Sequence, residues 1–75
     1  MMVDGWLFKI VTPGLQNDMT SWWAVWHSDQ RTALAALKRQ IGDCEPADAQ
    51  MLTEQQLKVM GLYHSGDAKN VRTEF

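Results

Sequence analysis

Three of the chain's four tryptophans stand within five residues, in the run Trp22-Trp23-Ala24-Val25-Trp26. Aromatic and β-branched residues fit a pleated backbone, so residues 21–27 read as a strand. Successive side chains of a strand point to opposite faces. Trp23, Val25 and His27 therefore share one face, and Trp22, Ala24 and Trp26 share the other. A half-buried strand alternates apolar and polar residues; this one is apolar on both sides. The chain must cover both faces of its sheet, by folding back on itself or by meeting a partner.

A second strand is predicted over residues 5–12, GWLFKIVT. Trp6, Phe8 and Ile10 fall on one face and Leu7, Lys9 and Val11 on the other. The first set is wholly apolar and should face the core. Pro13-Gly14 ends the strand, and Gln16-Asn17-Asp18 is turn-rich, so the two strands are expected to pair antiparallel across a loop. Ser28 and Asp29 offer capping oxygens for a helix over residues 29–41. Leu34, Leu37 and Ile41 form its apolar stripe, widened by Ala33 and Ala36, and Gly42 stands at its end. Residues 49–52 could add a short strand, although Asp48 and Gln50 are poor strand formers. Thr53 with Gln56 fits a capping box, and Leu52 with Leu57 fits the apolar staple beside it, so a short helix is predicted over residues 54–60. Gly61 stops it, and Leu62 is placed for the contact that follows such a glycine. The stretch 65–75 is polar and aperiodic apart from Val71 and Phe75, and reads as a flexible tail.

These elements make one α+β domain of order β-β-α-β-α, a small two-layer arrangement in which the long helix packs a hairpin or three-stranded sheet. Seventy-five residues support only one domain. A core of that size is marginal, because small domains bury a smaller share of their surface. The single cysteine, Cys44, rules out an intramolecular disulfide. Stability must come from aromatic burial, helix packing or association. Each large aromatic can remove roughly 150–250 Å² from water. The N-terminus lacks the basic region of a signal peptide, and its apolar run is broken by Lys9 and Pro13. No stretch approaches the length of a membrane span. A cytoplasmic location without membrane contact is the default expectation.

Catalytic and metal chemistry find little support. A structural zinc site needs about four ligands at short spacings. His27 and His64 lie far apart, and Cys44 has no partner cysteine. Asp43, Glu45 and Asp48 lack the spacing and the terminal glutamate of a calcium loop. Asp43, Glu45 and the preceding helix C-terminus all oppose a thiolate at Cys44. The five glycines are scattered, so none forms a phosphate-cradling loop. The expectation is a chain that is not an enzyme and carries no cofactor or metal. Arg31, Lys38 and Arg39 on the long helix could contact phosphate, but such charges are more often a solvated face. The net charge of −2 gives nucleic acid no general attraction.

No stretch carries a family motif. Whichever face of strand 21–27 is buried, one tryptophan remains beside Leu7, Lys9 and Val11. The register stays open; Trp23 and Val25 inside is preferred, because β-branched Val25 centres that face and His27 can sit at the strand end, and this leaves Trp22 and Trp26 outside. Three answers compete for that second face: the short helix folds back over it, a second copy of the chain meets it as a homodimer, or another protein or a ligand docks there. The functional expectation is a small interaction module built on Trp22, Trp26, Leu7, Lys9 and Val11. The alternative is a weak binder of single-stranded nucleic acid that stacks bases on the aromatic face and uses the basic helix.

Overall fold

The hairpin expected from the two aromatic runs forms as predicted, and its register decides which tryptophans face which helix. A computed structural model describes residues 3–74. β1 (Gly5–Thr12) pairs antiparallel with β2 (Met19–Val25), with Trp6 opposite Val25, Phe8 opposite Trp23 and Ile10 opposite Ser21. That puts Trp6, Phe8, Ile10, Trp23 and Val25 on one face. Leu7, Lys9, Trp22 and Ala24 occupy the other. The strand expected over residues 21–27 thus begins earlier and stops at Val25. Trp26 leaves the ladder because its backbone is tied elsewhere: its N–H donates to the Asp67 carbonyl at 2.8 Å, and its carbonyl accepts from Gly66 at 2.8 Å.

α1 (Gln30–Ile41) crosses the first face. The Asp29 carboxylate caps it, accepting from the Thr32 N–H at 2.9 Å. Ala33 and Leu37 are fully buried against Phe8, Ile10 and Val25, with Trp6, Trp23, Leu34 and Ile41 packed around them. α1 runs across β1, β2 and β4. β3 (Pro46–Leu52) pairs antiparallel with β1 on its outer side, with a bulge where Lys9 gives way to Ile10. β2 and β3 are both antiparallel to β1, so they run parallel to each other, and α1 is the crossover between them. The strand foreseen over residues 49–52 is therefore longer. Asp48 and Gln50 are accommodated because an edge strand leaves polar side chains in water.

α2 (Glu54–Val59) lies against the opposite face, where Leu57 and Leu62 are buried with Ala24 and Leu52. The capping box is complete. The Thr53 N–H donates to Gln56 Oε1 at 2.9 Å, and the Gln56 N–H donates to Thr53 Oγ1 at 3.3 Å. The Asp4 carboxylate adds a third bond by accepting from the Glu54 N–H at 2.9 Å. At the other end Gly61, at φ +93°, closes the helix. Leu62 N–H donates to the Leu57 carbonyl at 2.9 Å and Gly61 N–H to that of Lys58 at 3.0 Å. This paired closure needs a left-handed residue, which favours glycine.

One expectation fails outright. Most of the stretch read as a flexible tail is a strand: β4 (Ala68–Glu74) pairs antiparallel with β2 and completes a sheet of order β3-β1-β2-β4. Phe75 lies outside the described residues. The strand was hidden because it is an edge strand whose alternate sets, Ala68, Asn70 and Arg72 or Lys69, Val71 and Thr73, are both largely polar. Ala68 packs with the α1 core and Val71 with the α2 core, because their odd spacing sends them to opposite faces. The α+β class stands, with the order extended to β-β-α-β-α-β.

Candidate functional site

The residues expected to form an aromatic platform are divided by α2. Leu7 and Trp26 pack against the cluster of Ala24, Leu52, Leu57 and Leu62. The first of the three answers for this face, cover by the short helix, thus describes the structure around them. Gly5 makes the seat possible. A Cβ there would stand 2.6 Å from the Val25 carbonyl oxygen and 2.8 Å from the Leu57 methyls. Only a glycine lets α2 approach the sheet so closely.

Trp22 is left on the uncovered remainder of the face. It lines a shallow cleft of about 320 Å³ with Leu7, Met60, Val71 and Arg72. The Arg72 guanidinium lies over the indole, 5.0 Å from the ring centroid, and pairs with the Glu74 carboxylate. Its cation–π partner already occupies one side of Trp22. Lys9 is half-buried beside it, opposite Trp22 on one neighbour and Asp48 on the other. Val11 is exposed.

A larger opening lies at the β3 edge, and sequence reasoning missed it. The groove measures about 1060 Å³ and is lined by Val3, Trp6, Met51, Gln55, Val59 and Met60, with neighbouring residues of β3. It folds round the strand. Trp6 and Met51 stand opposite each other on the α1 face, whereas Val59 and Met60 come from α2 on the other. α1 lies mainly over the other three strands, with Ala49 of β3 packed at the margin of the core beneath it. Met51 is 62% exposed and Val59 83%. No lining residue carries a charge; the polar ones are Thr53 and the amides Gln50, Gln55 and Gln56. A trace of this was present in the sequence. Met51 and Val59 are apolar residues outside the stripes that Leu52 and Leu57 define.

Arg31, Lys38 and Arg39 are exposed on α1. They therefore lie on the opposite side of the sheet from Trp22. A strand of nucleic acid could not touch the aromatic cleft and the basic stripe on one surface. Among the described residues no three of His, Cys, Asp or Glu gather as metal ligands. No buried side-chain polar atom lacks a hydrogen-bond partner among them. Ser21, the one buried polar residue among those described, accepts from the Trp23 indole N–H at 3.2 Å. Burial is the main cause that raises the Cys44 pKa; Asp43 adds to it and Lys38 opposes it. The thiol is held protonated, which makes it a poor nucleophile. No helix among the described residues is long and apolar enough to cross a membrane. No protein-family model, no curated protein and no solved structure matches this chain.

Proposed function

We propose that this chain is a small, non-catalytic interaction module whose contact surface is the groove along β3. One observation carries the reading: exposed Met51 and Val59 flank an edge strand in a groove without charge. Apolar surface of this kind, rimmed by amides, favours another protein surface over a phosphate or a metal. The Trp22 cleft is smaller and already holds Arg72, so it is the lesser surface. The reading keeps the interaction role that the tryptophan run suggested and moves its centre from Trp22 and Trp26 to Met51 and Val59.

Immobilised wild type, Val59→Asp and Trp22→Ala can be compared for what each retains. Val59 is highly exposed, so an aspartate there should leave the fold intact. Material held by wild type is expected to be lost with Val59→Asp and kept with Trp22→Ala. The reverse pattern would return the contact surface to the aromatic cleft. Retention no better than the bare matrix for all three would refute an interaction role.

A further inference from the structure

We infer that the occupant of the groove is a second copy of this chain, joined β3 to β3 across a twofold axis into one eight-stranded sheet. The inference rests on the groove being the contact surface. Its basis is the difference between the two sheet edges. A free edge presents unpaired backbone N–H and C=O groups to any strand that can reach it. β4 is guarded by Lys69, Arg72 and Glu74, three charges in seven residues, and by a bulge against β2. On β3 the guards, Pro46, a bulge and Asp48, all stand at one end. Residues 49–52 carry no charge.

A twofold axis through Gln50 makes that stretch self-complementary. Gln50 then faces the second copy's Gln50, and an amide supplies both a donor and an acceptor to its twin. Met51 faces the second copy's Ala49, a long side chain beside a short one. Met51 is already opposite Trp6, and Ala49 opposite Phe8. The junction therefore continues an apolar row from Trp6 through Met51 to Ala49 and Phe8 of the second copy. On the other face Asp48 meets the second copy's Leu52, so no like charges oppose each other. Charge matters because each copy carries a net −2, and the uncharged groove lets two copies meet without opposing charges.

Area sets the strength. Five paired residues span about 17 Å at about 3.4 Å each, and with a sheet-plus-helix thickness near 20 Å they cover roughly 350 Å² per copy. That is the size of a weak, reversible contact, so the dimer should appear only at high protein concentration.

Sedimentation equilibrium of the whole chain, from about 10 µM to about 1 mM, tests this directly over the range where weak contacts fill. The mass is expected to rise from 8.6 kDa towards twice that value. Met51→Lys, at an exposed position, should weaken association at least tenfold while its circular dichroism spectrum and melting stay those of wild type. Amide exchange in residues 48–52 of the wild type should slow as concentration rises. A wild type monomeric throughout overturns the inference. So does Met51→Lys associating as well as wild type, or protection appearing in residues 68–74 instead. Loss of retained material with Val59→Asp separates the cases: if it persists while wild type stays monomeric, the groove takes a different protein; if neither is seen, both readings fall.

Discussion

Each tryptophan has its own surroundings, and one substitution series should rank them. Trp23 packs on the α1 core and holds Ser21. Trp23→Ala should cost about 3–5 kcal/mol, enough to unfold a domain of this size. Trp26 packs on the α2 core, so Trp26→Ala should cost about 2–4 kcal/mol and will not leave the stable monomer expected of a free platform residue. Trp22 loses only its cleft and the stacked Arg72, so Trp22→Ala should cost about 1 kcal/mol. Urea melts check the order; Trp22 ranking above Trp26 would contradict the cover by α2. Asp29 offers a pH test. Its pKa is lowered, first by the Thr32 backbone N–H and then by the Thr32 hydroxyl, with Arg31 contributing. A carboxylate with a lowered folded pKa adds stability above the ordinary carboxylate range and loses it as pH falls through its own value. Wild type should therefore melt progressively lower below about pH 4, and Asp29→Asn should lack that part of the decline.

α2 is a six-residue helix that propensity alone could not hold. It depends on its cap, its buried leucine and its glycine seat, and each has a distinct expected cost. Thr53→Ala should cost about 1 kcal/mol through the capping box. Leu57→Ala should cost about 2–5 kcal/mol, matching Leu37→Ala on α1, because both leucines are fully buried. Gly5→Ala should cost roughly 1–3 kcal/mol by forcing Leu57 and the Val25 carbonyl apart. Chemical denaturation of the four variants checks the set. A Gly5→Ala protein as stable as wild type would mean that α2 does not sit against β1. The Glu54–Lys58 pair at 3.3 Å is exposed and adds a few tenths of a kcal/mol at most.

At the scale of the whole molecule, the sheet is closed around β1 and β2 by two strands of contrasting character. β4 shields the outer edge of β2 and brings Ala68 to one core and Val71 to the other. A chain ending at Asp67 should therefore fail to fold, shown by loss of cooperative melting in circular dichroism. Cooperative unfolding near the wild-type temperature would restore the flexible-tail expectation. β3 leaves its outer edge open beside the groove, and that contrast gives the molecule one end suited to contact.

The elements whose signals are short-range were legible in the residues themselves. The two-residue period of Trp6, Phe8 and Ile10, the stripe of Leu34, Leu37 and Ile41 widened by Ala33 and Ala36, and the Thr53–Gln56 box each arise within one or two turns or strands of chain. The residues favour Trp23 and Val25 inside, because β-branched Val25 centres that face, but only the pairing of β1 with β2 fixes it. The fate of residues 68–74 was not legible. Strand pairing there is made by backbone groups that every residue carries, and the mostly polar side chains of an edge strand give no apolar alternation. Nor could the sequence show that α2 would settle over Gly5 with Trp26 packed at its cluster, since that seat needs β1, β2 and α2 assembled. The groove belongs to the same class. Val3 and Trp6 are distant in sequence from Met51 and Val59, and the two pairs become one surface only where β3 joins β1 and α2 turns beside it.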